Sequence, residues 1–561
     1  MNYNILIGGA AGQGVATTGK ILESILKRKG YFVFTNKDYM SRVRGGHNFT
    51  QIRFGNDELY SHNSDLDIIL AFNKETIINH SSRLKDNGII ICDYNIDTDN
   101  YTVNKLPLIE TAKDVGNAKV FTSVAIGAIL KAFDIEVNNT TNLLNKFFKD
   151  ENLINLNYAA LVRGYDMFKN VFTVSEPKLI NKDTISINGN QAIALGALAG
   201  GVTFYSAYPM APSTGIMKYL YSKSNSMNIL VEQAEDEIAA INMAIGASYA
   251  GARSMTASSG GGFSLMVEGL GLAAITETPL VVVNVQRPGP ATGLPTRTAQ
   301  GDLGFVINSS QDDLPLMVIS LKNHQDAFYQ TIRALNLADK YQLLVIILSD
   351  QYLADSSSTI EKFNFDDIKI DRNIAKKNNC KYSDTYKRYE YTDDGISPRL
   401  IPGNHNNITV LADSHEHNEY GNIDESKKNR INMMDKRMNK IKLVKKDLIE
   451  PEYYGMNNPE TLLVAWGSSE GSIKEALELL SKENVSIGAL VFGDIWPLPI
   501  KKMIQYSNIA KTIISVEHNH SNQLAKLISQ ELQIKFTDNI NKYDGRQFSG
   551  YELYKSIKEV L

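Results

Sequence analysis

Two short segments in the middle of the chain decide the fold: Tyr208-Pro209-Met210-Ala211-Pro212-Ser213-Thr214 and Glu235-Asp236-Glu237-Ile238-Ala239-Ala240. The first follows the apolar run Gly201-Val202-Thr203-Phe204 and holds two prolines among small residues, so it predicts a loop at the end of a strand. The second begins a predicted helix that continues through small and apolar residues to Ala247. Open α/β sheets bind their ligands at such strand ends and helix starts. The two segments therefore predict a ligand site in an α/β domain.

Composition excludes several classes of function. The chain has 561 residues, enough for roughly three or four domains. Its hydrophobic content of 43% and charged content of 21% are typical of a globular protein. A net charge of −4 argues against a nucleic-acid partner, which requires a basic surface. We see no charged leader and no apolar run long enough to span a bilayer, so we expect a cytoplasmic protein without a membrane partner.

Strand and helix patterns alternate along most of the chain, which predicts a doubly wound α/β architecture. A polar stretch near residues 175–188 is predicted to be a linker. We expect three α/β domains, at 1–178, 189–360 and 456–561, with an irregular segment at 361–455 that ends in a helix around 427–448. The second domain is predicted to have strands near 201–206, 252–257, 280–286 and 343–349.

A glycine-rich turn, Gly8-Gly9-Ala10-Ala11-Gly12-Gln13-Gly14, lies between the first predicted strand and helix, where backbone amides favour phosphate. Its glycine order does not match the dinucleotide fingerprint. Ile21 stands where a nucleotide-triphosphate loop needs a magnesium-binding hydroxyl. Taken alone, the turn is interpreted as tight-turn packing.

These segments together resemble the alpha subunit of thiamine-diphosphate-dependent 2-oxoacid:ferredoxin oxidoreductases, with the gamma domain fused in front. The glycine-rich turn and Ser41-Arg42-Val43-Arg44-Gly45-Gly46-His47 are similar to the gamma domain. The resemblance covers nearly the whole chain, and it implies a pyrimidine-binding domain followed by a transketolase C-terminal-like domain. It implies oxidative decarboxylation of a 2-oxoacid to an acyl-CoA with reduction of ferredoxin. For Arg44 it implies an ion pair at a domain interface rather than a catalytic role.

Thiamine diphosphate requires one well-placed, partly desolvated glutamate that bonds its pyrimidine ring nitrogen and favours the imino tautomer. Glu235 and Glu237 are both candidates. In the family the activating glutamate precedes a helix with a Gly-Ala and Ala-Gly-Ala pattern, found here at 246–252, and this spacing selects Glu237. The alternative is that these acids only complement the dipole of a helix N-terminus.

A 2-oxoacid also presents a carboxylate, for which arginine offers a planar, permanently charged fork. Arg287 ends a buried-type strand and matches the family's clamp for the substrate carboxylate. Arg297, in the following loop, is the second candidate. The alternative for each is a surface arginine that caps a loop.

Relatives usually carry threonine at the position of Ala211, and its hydroxyl is thought to bond the substrate. Alanine cannot donate, so either Ser213 or Thr214 substitutes, or this chain uses a different oxoacid, or its turnover is weaker. The resemblance also implies cofactor contacts from the loop residues Tyr208 and Pro209 and from the small-residue loop Ser258, Ser259 and Gly260.

Two histidine-containing segments invite a metal interpretation. Asp413 to Glu419 holds two histidines and several acids, but its resemblance to the family favours a loop at the mouth of the active site or against a partner. Glu517 to Leu524 is similar to a helix start in the third domain. We expect no metal site on this chain.

Features of a complete thiamine enzyme are missing. The chain has Gly493-Asp494-Ile495 instead of the magnesium-binding Gly-Asp-Gly segment. Its only cysteines are Cys92 and Cys380, whereas an iron–sulfur cluster needs about four ligands. The resemblance therefore implies that a beta subunit carries the magnesium and the cluster and shares the thiamine diphosphate, in a dimer of heterodimers.

The substrate implied first is 2-oxoglutarate, with pyruvate, branched-chain or aryl 2-oxoacids as alternatives. An alternative of another class is a non-catalytic regulatory or scaffold subunit, for which Ala211 is the best argument. Glu237 and Arg287 argue against it, because a scaffold needs neither.

Overall fold

The computed structural model describes residues 2–41, 46–179, 183–375, 386–405 and 408–561. They form β-sheets of eight, seven and five strands. The chain divides into two compact units: Met1–Ile187, Ser356–Lys362 and Ser549–Leu553 form the first, and the remainder forms the second. In the described part of the chain, no helix has the length and apolar character needed to cross a membrane.

The amino-terminal part of the chain alternates strands and helices. Its strands are β1 (Asn2–Ala10), β2 (Phe32–Asp38), β3 (His47–Gly55), β4 (Leu66–Ala71), β5 (Leu84–Asp93), β6 (Asn104–Leu106) and β7 (Thr184–Asn188). Its helices are α1 (Val15–Arg28), α2 (Lys74–His80), α3 (Leu108–Val115), α4 (Phe121–Ala132), α5 (Thr141–Leu144) and α6 (Glu151–Asp166).

The central part of the chain continues this alternation. Its strands are β8 (Phe204–Ala207), β9 (Leu230–Gln233), β10 (Ser254–Ser258), β11 (Leu280–Gln286), β12 (Leu316–Ser320), β13 (Leu344–Asp350) and β14 (Ser357–Glu361). Its helices are α7 (Gly189–Ala199), α8 (Thr214–Met227), α9 (Glu237–Tyr249), α10 (Gly260–Leu265), α11 (Val267–Ile275), α12 (Leu303–Ile307), α13 (His324–Tyr341) and α14 (Gln351–Asp355).

The carboxyl-terminal part begins with α15 (Lys427–Val444). Its strands are β15 (Glu452–Gly455), β16 (Thr461–Trp466), β17 (Ile487–Phe492), β18 (Asp494–Trp496), β19 (Thr512–Glu517) and β20 (Asp538–Asn541). Its further helices are α16 (Glu470–Ser481), α17 (Lys501–Ser507), α18 (Gln523–Leu532) and α19 (Gly550–Val560).

The eight-stranded sheet of the first unit has the order β6-β5-β4-β1-β3-β2-β14-β7. Strand β1 runs parallel to β4 and antiparallel to β3. Strand β7 occupies one edge, so the linker prediction is wrong for the end of residues 175–188. The polar side chains there are compatible with an edge strand: the Ser186 hydroxyl, for example, donates to Glu23 Oε1 of α1.

The seven-stranded sheet of the second unit positions the site. Its order is β18-β12-β13-β11-β10-β8-β9, and every neighbouring pair is parallel except β12 with β18. Strands β11 and β13 are buried along their full length, as expected for central parallel strands covered on both faces. The strands predicted near 201–206, 252–257, 280–286 and 343–349 are all present as β8, β10, β11 and β13. Their carboxyl ends meet at one edge of the sheet.

Helix α15, predicted near the end of the irregular segment, is held by a buried charge cluster. Lys436 Nζ lies 2.6 Å from Glu277 Oε1, and Lys440 Nζ donates to Glu277 Oε2. Arg388 Nη2 donates to the carbonyl of Glu277 at 2.8 Å. Burial raises the pKa of the Glu277 carboxyl, but the two ammonium charges outweigh it and hold that pKa below its usual range. Burial lowers the pKa of Lys440 to about 7. The cluster fixes α15 against the seven-stranded-sheet domain.

The five-stranded sheet has the order β15-β17-β16-β19-β20, with β15 antiparallel and the others parallel. It belongs to the second unit, as does the seven-stranded sheet. Three α/β sheets in this order agree with the predicted fold class. The predicted domain limits at 178, 189, 360 and 456 stay predictions.

Candidate functional site

The loops that follow β8, β9, β10 and β11 form the candidate site. The loop after β8 runs through residues 208–213 to α8, and the segment after β9 leads directly into α9. Asp236 caps α9, since its Oδ1 accepts from the amide of Ala239 at 2.7 Å. The cap fixes the first helical residue, Glu237, at the end of the strand.

Glu237 is a buried carboxylate held by one side chain. It is 2% exposed, and Ser258 Oγ donates to its Oε1 at 2.9 Å. Glu235 is exposed, so the structure separates the two acids that the sequence left as candidates. The carboxylate lies against the backbone of Gly262, where an added Cβ would stand 2.1 Å from Glu237 Oε1 and 2.1 Å from Ser258 Oγ. Only glycine leaves room for the carboxylate at this place.

Several buried polar atoms on, or directly after, β10 and β11 have no partner within the described part of the chain. They are Thr256 Oγ1, Ser259 Oγ, Asn284 Oδ1 and Arg287 Nε. Buried polar atoms in native proteins are nearly always paired with protein groups or ordered water, so these atoms have bonding capacity that a water or a ligand can satisfy. Of the predicted contacts, Ser259 belongs to this group, Ser258 bonds Glu237 instead, and Gly260 begins α10 directly after them.

Arg287 follows the last residue of β11 and is 6% exposed. Its Nη1 donates to the carbonyl of Ala211 at 2.6 Å and approaches Met210 Sδ at 3.3 Å. Burial lowers the pKa of Arg287, and the charges of Asp302 and Glu237 oppose that shift. The position of Ala211 thus contributes a backbone acceptor that holds the arginine.

A cleft of about 220 Å³ opens beside Arg287. Its other lining residues are small or uncharged with one exception, Asp302; they are Gly260, Gly261, Ser264, Pro288, Gly289, Pro290 and Ala291. A guanidinium in a cleft of this kind can hold the carboxylate of a small organic acid. The cleft thus brings together Arg287 and the Gly260 loop predicted from the sequence.

Asp302 is a site residue that the sequence analysis missed. Asn284 Nδ2 donates to its Oδ2 at 3.0 Å, and its amide donates to Gln286 Oε1 at 3.1 Å. Burial raises the pKa of the Asp302 carboxyl, while the Asn284 hydrogen bond and the Arg287 charge lower it. The only available signal was an acid fifteen positions after Arg287, a spacing without a known motif.

Arg297 does not line this cleft; its Nη1 donates to the carbonyl of Thr296 at 3.1 Å. Ser213 is buried, and its hydroxyl donates to the carbonyl of Met210 at 2.7 Å. Because its proton is donated to the backbone, the Ser213 hydroxyl is a poor replacement for the threonine donor that relatives carry at the position of Ala211. Thr214 begins α8.

Tyr208 and Pro209 lie in the loop after β8, and Tyr208 is 38% exposed. The structure therefore leaves the tyrosine ring accessible for a contact outside this chain. The cofactor-binding roles of both residues stay predictions.

The histidine and acidic side chains between Asp413 and Glu419 do not converge on one point. His415 pairs with Asp413 at 2.8 Å, Glu416 with Arg430 and Arg437, and the His417 ring packs against Tyr389 at 4.0 Å between centroids. Among the described residues, no group of three or more metal-ligating side chains is found.

Asp494, in the segment that replaces Gly-Asp-Gly, forms a two-point ion pair with Arg333 at 2.6 and 2.7 Å. Its carboxylate is therefore committed to a structural contact. Arg44 and Cys380 lie outside the described residues.

Comparisons with known proteins identify the family of the chain. Residues 195–436 match the family described as "Pyruvate flavodoxin/ferredoxin oxidoreductase, thiamine diP-bdg", residues 4–167 "Pyruvate ferredoxin/flavodoxin oxidoreductase", and residues 459–553 "Pyruvate:ferredoxin oxidoreductase core domain II". A relative from Sulfolobus sp, named 2-oxoacid:ferredoxin oxidoreductase subunit alpha, is 32% identical and aligns over 100% of this chain and 97% of its own length. A 2-oxoglutarate synthase subunit KorA from Archaeoglobus fulgidus is 32% identical over 59% of this chain and 87% of its own length.

A solved structure is similar over the whole length. The 2-oxoglutarate:ferredoxin oxidoreductase from Magnetococcus marinus, with 2-oxoglutarate, coenzyme A and succinyl-CoA bound, aligns over 100% of this chain and 99% of that chain. The TM-score is 0.92 at 33% identity. The match over residues 195–436 makes the domain built on the seven-stranded sheet a thiamine diphosphate-binding domain of an α/β protein. The chain belongs to the 2-oxoacid:ferredoxin oxidoreductase alpha-subunit family.

The predicted family, α/β fold class and thiamine-binding domain are confirmed, as is membership in an oxidoreductase complex. The roles assigned to individual side chains stay predictions.

Gly262→Ala should impair the site without unfolding the chain. The added methyl group displaces the Glu237 carboxylate and the Ser258 hydroxyl, and overpacking of this kind costs about 1–3 kcal/mol. We expect turnover of the assembled complex to fall by about tenfold or more, since 1.36 kcal/mol corresponds to tenfold in rate.

The matched control is Gly271→Ala on α11, where the nearest side-chain atom lies 3.5 Å from the added Cβ. Thermal melting of both variants reports folding, and steady-state kinetics report the site. Equal turnover in the two variants would show that the packing of Glu237 over Gly262 is unimportant.

Proposed function

We propose that Glu237 is the carboxylate that activates thiamine diphosphate and that Arg287 binds the carboxylate of a 2-oxoacid. One observation carries the proposal: a buried glutamate at a helix start, held by Ser258, lies close enough to the buried arginine of a cleft for their charges to interact. When bound, thiamine diphosphate supplies the carbon nucleophile that attacks the oxo group and accepts electrons after decarboxylation.

The residues present fit the pyrimidine half of that cofactor. Glu237 would hold a proton shared with the pyrimidine ring nitrogen, and the second oxygen, Oε2, is available for that bond because Ser258 engages Oε1. An added Cβ would stand 2.9 Å from the Asp302 carboxylate at Gly260 and 2.1 Å from the Glu237 carboxylate at Gly262, so glycine at these positions lets both acids lie against the backbone. Burial excludes water from the carboxylate and so strengthens the bond it makes to the ring.

Arg287 would orient the substrate through its guanidinium. The Ala211 carbonyl fixes one nitrogen of the fork, which leaves the remaining N–H groups for a carboxylate. We propose 2-oxoglutarate as the first substrate, because the Magnetococcus marinus structure holds it and the Archaeoglobus fulgidus relative is named for it. CoA is the proposed acyl acceptor and ferredoxin the electron acceptor.

We propose that a beta subunit completes the active site with the magnesium-bound diphosphate half and carries the iron–sulfur cluster. Two observations support this division. The Asp494 carboxylate is paired with Arg333, and the chain has two cysteines, of which Cys92 is buried with its thiol pKa raised to about 11 by desolvation. The proposed assembly is a dimer of heterodimers in the cytoplasm.

A scaffold role is not favoured by these contacts. A non-catalytic subunit has no use for a glutamate buried under a glycine or for an arginine held at the floor of a cleft, since both cost desolvation energy.

The isolated chain should be colourless and inactive, because the proposed cluster and diphosphate ligands are on another subunit. The measurement is the visible absorbance of the purified chain, together with 2-oxoacid-dependent reduction of a dye acceptor, with and without the candidate beta subunit. A brown chain, or one that oxidises any 2-oxoacid alone, would contradict the divided site.

Glu237→Gln should abolish turnover of the complex and leave its assembly intact. The amide fits the same space but cannot stabilise the activated ring tautomer, and loss of such a group typically costs on the order of a hundredfold or more. Glu235→Gln is the matched control, since Glu235 is an exposed acid two residues away. Size-exclusion chromatography checks assembly; a large loss in Glu235→Gln with normal turnover in Glu237→Gln would identify the other carboxylate.

Arg287→Lys should lower kcat/KM for every 2-oxoacid that the complex accepts. Lysine keeps the charge but loses the two-point geometry, and we expect a loss of about 2–4 kcal/mol, as for truncation of a buried charged pair. Arg297→Lys, outside the cleft, serves as the comparison. The measurement is kcat/KM on several 2-oxoacids for both variants. An unchanged kcat/KM in Arg287→Lys together with a loss in Arg297→Lys would show that Arg297 binds the substrate carboxylate.

A further inference from the structure

The side chain of Gln523 holds a turn that belongs to the cleft. Gln523 is the first residue of α18, which packs with the five-stranded sheet. Its Nε2 donates to the carbonyl of Gly301 at 2.8 Å, and its Oε1 accepts from the amide of Gly304 at 2.9 Å. The two bonds hold the backbone in place on both sides of Asp302.

Gln300, two residues before Asp302, is also hydrogen-bonded to the carboxyl-terminal domain. Its amide donates to the carbonyl of His518 at 2.8 Å, and its carbonyl accepts from Asn519 Nδ2 at 3.0 Å. The turn that carries Asp302 is therefore fixed from the carboxyl-terminal domain, whereas Arg287 is fixed from the seven-stranded sheet.

Asp302 and Arg287 share the cleft without a direct ion pair. Within the described residues, Arg287 Nη1 bonds to the Ala211 carbonyl, Asp302 Oδ2 bonds to Asn284, and the two charges interact only at longer range. Opposite charges in a desolvated cleft attract strongly. A direct pair would occupy the fork that a substrate carboxylate needs.

We propose that Gln523 is a positioning residue for substrate binding: its two hydrogen bonds keep the Asp302 carboxylate out of a direct ion pair with Arg287, so that the guanidinium stays open to a 2-oxoacid. This inference rests on the proposed role of Arg287. The carboxyl-terminal domain thereby becomes a determinant of substrate affinity, although none of its described side chains lines the cleft.

Gln523→Leu removes both hydrogen bonds at nearly constant volume. We expect KM for 2-oxoglutarate to rise about tenfold, because the loss of both bonds frees the Asp302 turn to bring its carboxylate into a direct ion pair with Arg287. We expect kcat to stay within about twofold, because the bound state is unchanged once the substrate has displaced Asp302. Gln523→Glu keeps the acceptor for Gly304 but loses the donor to Gly301, so its KM should lie between those of the wild type and Gln523→Leu.

A double-mutant cycle separates positioning from general packing. In the Asp302→Asn background the carboxylate that would pair with Arg287 is gone, so adding Gln523→Leu should change KM by less than about twofold. Gln530→Leu is the control: Gln530 lies on the same helix, is exposed, and its side chain makes no hydrogen bond in the described part of the chain. If the Asp302→Asn complex turns over too slowly, the dissociation constant of 2-oxoglutarate from the complex without thiamine diphosphate, measured by calorimetry, replaces KM in every arm.

Equal rises in KM with and without the Asp302 carboxylate would overturn the proposal, as would no rise in Gln523→Leu. These outcomes are distinct from failure of the proposed function. If the wild-type complex turns over no 2-oxoacid, both proposals fall; if it turns over and Arg287→Lys raises KM while Gln523→Leu does not, only the role of Gln523 is wrong.

Discussion

The burial of one carboxylate, Glu237, is the constraint on which the rest of the site depends. A charged group at 2% exposure is costly unless its neighbours bond it, and among the described residues the hydroxyl of Ser258 does so. The capped helix start fixes its backbone, and a glycine leaves room for its oxygens. In the proposed function, the remaining bonding capacity of this carboxylate serves the pyrimidine ring of thiamine diphosphate.

The charged side chains of Arg287 and Asp302 line the cleft that is proposed to bind the substrate. Arg287 comes from the end of β11, and Asp302 returns fifteen residues later to the same cleft. Since the two are held by different parts of the second unit, the electrostatic balance in the cleft depends on packing between α18 and the turn at 301–304. In the proposed roles of Arg287 and Gln523, substrate affinity depends on contacts remote from the reacting atoms.

The features that could be predicted from the sequence are those that local patterns or family motifs encode. Apolar β-branched runs predicted β8, β10, β11 and β13, and the resemblance selected Glu237 and Arg287. The sequence could not predict Asp302 or Gln523, because their roles arise from long-range contacts that no spacing rule describes. It likewise missed β7, whose pairing partners are distant in sequence, and the commitment of Asp494 to Arg333.

The central claim is that Glu237 activates the cofactor, and the most direct test is deuterium exchange at the reactive thiazolium carbon of thiamine diphosphate bound to the assembled complex. Quenched-flow NMR compares this exchange in the wild type and in Glu237→Gln without any substrate, so it isolates activation from binding and electron transfer. The account predicts fast exchange in the wild type and a loss of on the order of a hundredfold or more in the variant. Equal exchange rates in the two complexes would contradict it.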